Sequence, residues 1–180
     1  KEFIELLGLI RVSDKEGNRL ALFYGIELAC KIIKERKDNK IFFIGNGGSA
    51  AIASHMAIDF WKNGGIKAFA FNDSSLLTCI SNDVGYKYVF EKPLLMFANK
   101  NDILFAISSS GKSENIIRGV DAALNKGCSV ITLSGFDENN PLSSMGNINF
   151  YVPKDRYGPV ETIHQYLCHY ILDIILYERE

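Results

Sequence analysis

Apolar residues follow two rhythms in this chain, and the change comes at Lys40. Over residues 1–10 and 18–37 they recur at helical spacing: Leu22, Ile26, Ala29 and Ile33, four, three and four apart, share one face. The pattern predicts a helical arm over residues 1–39, broken at Asp38-Asn39. From Lys40 onward, short and wholly apolar runs take over. Ile41-Phe42-Phe43-Ile44, stopped by Gly45, fits a strand buried on both faces. Similar runs at 67–71, 103–107, 129–133 and 147–152 make five strands in all. Helical stretches at 50–62, 84–98 and 113–126, a short piece near 138–145 and a long closing helix over 160–177 alternate with them. Pro93 should start or kink a helix within 84–98. The alternation predicts an α/β fold, a three-layer αβα sandwich on a five-stranded parallel sheet. No repeat and no Pro/Gly-rich linker divides the chain, so residues 1–180 read as one domain, with 40–180 as its α/β core.

Composition narrows the partners. Lys and Arg total 20 against 21 Asp and Glu, so no positive excess is available for a nucleic acid or an anionic membrane. No apolar run approaches bilayer-spanning length, and no secretory pattern opens the sequence. Cys30, Cys79, Cys128 and Cys168 form no Cys-x-x-Cys pair and sit among apolar neighbours; they read as buried free thiols of a cytoplasmic protein.

In open parallel sheets ligands bind beyond the carboxyl ends of the strands, which directs attention to loops 45–49, 72–74, 108–113, 134–137 and 153–159. Gly45-Asn46-Gly47-Gly48-Ser49 permits positive φ and close backbone approach to a ligand, and Ser49 is placed to cap the next helix. It has no Gly-Lys-Ser/Thr ending, and a tight turn with nothing bound is the plain alternative. Ser108-Ser109-Ser110-Gly111-Lys112-Ser113 sets four hydroxyls between a strand and a helix. Such a loop can surround a phosphate without a metal or a fixed charge; a solvated turn with an ordinary N-cap is the alternative.

With these loops in place the chain resembles the SIS (sugar isomerase) domain family, and within it the phosphoheptose isomerases. The resemblance rests on Gly45–Ser49 with His55, Ser81-Asn82-Asp83-Val84-Gly85, Ile107–Ser113, Val130–Gly135, and Glu161-Thr162-Ile163-His164 running on to His169, across roughly 40–177. It implies a flavodoxin-like fold. The implied reaction is aldose–ketose isomerisation of D-sedoheptulose 7-phosphate to D-glycero-D-manno-heptose 7-phosphate, a step toward lipopolysaccharide, capsule or another glycan. It also implies a homotetramer, with the arm helping to build it and His55 and His169 meeting across chains. Ser108, Ser109, Ser110 and Ser113 would hold the phosphate; Asn46, Gly47, Gly48, Ser49, Asn82 and Asp83 would line the sugar. His55, Asp59, Glu161 and His169 fall at the family's catalytic and zinc-binding positions: Asp59 as base, His169 as acid, Glu161 orienting substrate or metal, with one Zn2+ or similar ion per site and no redox cofactor. Where the family has glutamate this chain has Asp59, where it has glutamine Glu161, and its 155–160 loop is one residue shorter.

The four residues also carry chemistry of their own. His55 and Asp59 are i, i+4 on a helix, and Glu161 and His169 are a little over two turns apart on another. Two imidazoles and two carboxylates suit a divalent ion or an acid/base pair. Against this, His164 and Cys168 form an i, i+4 pair too, and a histidine among apolar neighbours is often a satisfied core or interface residue. A non-catalytic sugar-phosphate-binding or protein-bridging module, and an isomerase of another sugar phosphate, remain the alternative functions.

Overall fold

The computed structural model describes residues 2–36 and 38–177. The chain opens with α1 (Glu2–Leu9), β1 (Arg11–Asp14), β2 (Arg19–Leu20) and α2 (Leu22–Glu35). There follow β3 (Lys40–Gly45), α3 (Gly48–Lys62), β4 (Lys67–Ala70), α4 (Ser74–Asp83) and α5 (Glu91–Phe97). The last part runs through β5 (Ile103–Ser108), α6 (Glu114–Asn125), β6 (Ser129–Gly135), β7 (Ile148–Val152) and α7 (Tyr157–Tyr177).

All five apolar runs are strands, and β3 to β7 pair in parallel. Both faces of the sheet are covered because successive residues enter opposite cores. Phe43, Phe105 and Ile131 pack with α2, α3 and α7; Phe42, Leu104 and Val130 pack with α5 and α6. Phe43 and Phe105 stack with ring centroids 4.8 Å apart. The result is the expected three-layer sandwich.

The sheet is larger than expected: seven strands in the order β2-β1-β7-β6-β5-β3-β4. Residues 1–39 are therefore not a wholly helical arm; a hairpin lies between α1 and α2. Asp14 closes its turn by accepting from the N–H groups of Glu16 (3.0 Å) and Asn18 (2.8 Å), with Gly17 at φ 84°. β1 then runs antiparallel to β7, Val12 opposite Phe150. Val12 is the one fully buried residue of the two strands, too short an alternation to read as period two.

Three other expectations change. Ser74–Asp83 is a helix, begun by the Asp73 carboxylate accepting from Ser75 and Leu76 N–H (2.9 and 3.0 Å); Leu76, Leu77 and Ile80 pack against the core from it, but none of its residues is fully buried. Segment 84–98 is not one helix. Gly85 at φ 108° precedes a single 3₁₀ turn, and α5 starts anew with Pro93 in its first turn. Cys79 lies exposed on α4, whereas the other three thiols are buried as expected, and burial pushes those of Cys30 and Cys168 up to about 11 and about 12.

Candidate active site

The serine loop begins where β5 leaves the sheet. It turns at Gly111, φ 63°, whose N–H donates to the Ser108 carbonyl (3.1 Å) and to its hydroxyl (3.2 Å). A Cβ at Gly111 would run into the buried Asn140 carboxamide. Asn140 is fixed in turn by donating to the Asp137 carbonyl (2.7 Å), while Leu142 N–H donates to the Gly111 carbonyl (3.2 Å). The loop after β6 thus braces the serine loop from behind. Ser109 Oγ is buried with no hydrogen-bond partner among the described residues, a rare state for a hydroxyl that calls for a ligand or water. Ser113 occupies the N-cap of α6 but its side chain does not cap, so hydroxyl and helix-end N–H groups are both left for an anion.

The glycine loop faces it. Gly47, φ 54°, is the N-cap of α3; Ser49 lies inside the first turn, buried, and does not cap the helix as expected. Asn46 and Asn115 exchange two amide hydrogen bonds of 2.9 Å, and Tyr86 donates to Asn46 Oδ1 at 3.0 Å. These bonds tie the two loops together. Between them lies a cleft of about 460 Å³, lined also by Tyr157 and Glu161. Glu161 sits against Gly48, where any Cβ would strike its carboxylate. Burial pushes the Glu161 carboxyl above its ordinary value.

A second cleft of about 400 Å³ shares Gly48 and Glu161 with the first and reaches His55. One helical turn beyond, Asp59 Oδ2 stands 3.2 Å from His55 Nε2 and 3.7 Å from His169 Nδ1, and the two rings meet edge-on with centroids 5.1 Å apart. These three side chains offer ligand atoms within 4.8 Å of one another, a set that fits a divalent ion with an open coordination position. His55 and His169 meet within one chain; no crossing between chains is needed. Glu161 is not in this group. Eight residues of α7 separate it from His169, about 12 Å along the axis and about 80° around it.

Asn82 and Asp83, expected beside the sugar, lie exposed at the end of α4 and bond to each other (2.8 Å) outside the cleft lining. His164 is a core histidine: fully buried, with Nε2 3.1 Å from the Ser134 carbonyl, Nδ1 without a hydrogen-bond partner among the described residues, and pushed down to about 4 by desolvation. Tyr157 and Asn115 were not singled out as site residues in the sequence. Tyr157 lay within a flagged loop, and its ring packs edge-on against Phe136, 4.9 Å between centroids. Phe136 holds φ 60° because its N–H donates to Lys154 (2.9 Å) and its carbonyl accepts from the Tyr151 hydroxyl (2.9 Å).

This geometry has counterparts. The SIS domain model matches residues 21–135. The phosphoheptose isomerase of Vibrio vulnificus is 35% identical over 163 residues, 86% of this chain and 85% of that protein. The phosphoheptose isomerase of Helicobacter hepaticus is 36% identical over 158 residues, 83% of this chain and 80% of its own length. Among solved structures, a phosphoheptose isomerase from Neisseria gonorrhoeae superimposes with a TM-score of 0.84 at 32% identity, covering 97% of this chain and 93% of that one. The Vibrio vulnificus NanR protein complexed with ManNAc-6P, at 18% identity and TM-score 0.64 over 86% of this chain and 55% of its own, shares the fold alone.

Proposed function

The chain belongs to the SIS domain family, among its phosphoheptose isomerases, and from that membership we infer that it interconverts D-sedoheptulose 7-phosphate and D-glycero-D-manno-heptose 7-phosphate. Among the features of the site, the partnerless buried hydroxyl of Ser109 carries the reading furthest, because it lies where a phosphate would be held. Ser108, Ser109, Ser110 and Ser113, with the α6 N-terminus, grip the phosphate. The sugar runs past Gly47, Gly48, Ser49 and Glu161 along the groove between α3 and α7 toward Asp59 and His169. Anchoring the distal phosphate fixes the reacting carbons against the acid and base.

The reaction moves one proton between C1 and C2. Asp59 takes the C1 proton of the ketose while His169 protonates the C2 oxygen, giving an enediol; return of a proton to C2 and loss of the O1 proton leave the aldehyde. Glu161 orients the chain of hydroxyls. His55, Asp59 and His169 fit a divalent ion such as Zn2+, which would polarise the carbonyl as a Lewis acid. No redox cofactor takes part.

The same proposal takes residues 1–180 as a single domain working in the cytoplasm as a homotetramer. Buried free Cys30, Cys128 and Cys168 suit a reducing compartment. Ile163, Leu167 and Ile171 of α7 lie in this chain's own core and are not available for assembly. Support for assembly comes instead from Ile4, Leu9, Phe23, Ile58 and Trp61, large and exposed on α1, α2 and α3.

Incubation with sedoheptulose 7-phosphate should yield the heptose, and a panel of five- to seven-carbon ketose phosphates sets the preference. Binding of these sugar phosphates without turnover of any of them would sink the reading in favour of a binding module.

A further inference from the structure

Among the described residues, the cleft wall contains no cation. One charge lines it, that of Glu161, and it is negative. The serine loop nevertheless carries a positive side chain of its own, Lys112, between Ser110 and Ser113, which both line the cleft. Lys112 Nζ is drawn to Asp137 Oδ2, 2.8 Å away on the loop after β6. Both side chains are about half exposed (57% and 47%), the setting in which water screens an ion pair and leaves it weak. Lys87, the other nearby cation at this helix start, is 3.6 Å from Glu114.

The two partners differ in freedom. Asp137 is pinned: its Oδ1 accepts from Asn139 N–H (3.0 Å) and its carbonyl from Asn140 Nδ2 (2.7 Å). The backbone before Lys112 is pinned as well, by Asn140 behind Gly111 and by the Leu142 bond. The four-carbon stem of Lys112 is the movable part, and an ammonium needs no fixed bonding geometry.

We propose that Lys112 is a specificity-determining residue that exchanges Asp137 for the substrate's phosphate, with Asp137 acting as a competing latch. The proposal rests on the serine loop being the phosphate site. A phosphate monoester carries about 1.5 to 2 negative charges near neutral pH, against one on Asp137. It also sits beside a wall whose one charge among the described residues, that of Glu161, repels it. The exchange gives the ligand a counter-charge, and it gives the protein a reason to prefer phosphorylated sugars over neutral ones.

The test uses the full chain and calorimetric binding of two probes, sedoheptulose 7-phosphate and inorganic phosphate, with thermal unfolding to show that each variant folds. Lys112→Gln should weaken both probes by about five- to ten-fold and flatten the salt dependence of binding. Asp137→Asn should tighten both by about two- to three-fold, and the double variant should match Lys112→Gln alone. If wild type binds both probes and Lys112→Gln binds them equally well, Lys112 has no such role and the serine-loop reading stands. If Asp137→Asn weakens binding as much as Lys112→Gln does, Asp137 is a support and not a latch. If wild type binds neither probe, the phosphate reading fails and the proposal fails with it.

Discussion

At one end of the α3–α7 groove the polar groups are hydroxyls and main-chain amides; at the other they are two imidazoles and a carboxylate. The serine end is cut into the rim of the sheet: Ser108 and Ser109 are buried, and Asn140 and the Asn46–Asn115 pair frame the loops. The histidine end is open, with His55 half exposed and His169 about a third. Holding an anion rewards fixed dipoles, which lose little freedom when the ligand arrives. Proton transfer needs groups that gain and lose charge, and burial without partners would force them neutral. The site therefore places rigidity and titratability at opposite ends of one groove.

Breaking the open end should cost turnover and spare binding. Asp59→Ala is expected to lower kcat by about 10²- to 10⁴-fold with the dissociation constant for the sugar phosphate little changed, measured by steady-state rates alongside calorimetry. Breaking the framed end should do the reverse. Ser109→Ala should weaken the ligand about ten- to hundred-fold. Because its hydroxyl has no partner, the same change should leave the unfolding midpoint equal or higher.

Acid should separate the two ends as well. The buried His164 titrates near 4 in the folded chain against an ordinary 6.5. Between those values the unfolded chain takes up a proton that the folded one refuses, so stability falls as the pH drops through this window, by about 3 kcal/mol in all. Denaturant unfolding from pH 7 to 4 should show that slope in wild type and lack it in His164→Leu. The smallest effect belongs to the residue between the ends. The carboxyl of Glu161 is raised by burial, so its charge fades as the pH falls through the region just above the usual carboxylate range. Substrate affinity should rise slightly over that interval. Glu161→Gln should remove the dependence and tighten binding by about two- to five-fold at neutral pH; equal affinity with the pH profile intact would place Glu161 outside the ligand's field.

The sequence shows the framed end more clearly than the open one, and the sheet more clearly than its edge. Wholly apolar runs such as Ile41–Ile44 have one buried solution, so all five central strands could be read from the sequence. The loops follow because strand ends in such a sheet are where ligands go. Val12 and Leu20 leave no comparable trace, since strands of four and two residues are specified by their neighbours across space, and α4 offers only the short, half-buried stripe of Leu76, Leu77 and Ile80. His55 and Asp59 could be paired from i, i+4 spacing, but His169 on another helix joins them only through the resemblance to the family, and nothing local separates that set from Glu161. That distinction depends on how far apart two positions sit along a helix axis. Asn46 lines the cleft, and its amide also pairs with Asn115, a link between residues 46 and 115 that no local pattern announces.

The antiparallel seam between β1 and β7 has a consequence in time. Val12 is laid against Phe150, so β1 must wait until β7, far later in the chain, has been made before it finds its place. Until then its unpaired edge and the apolar side of α2 stay uncovered. A nascent chain stalled before residue 148 should hold a parallel sheet without its border, open to digestion across residues 11–20, and lengthening it by a few residues past Val152 should close that window abruptly.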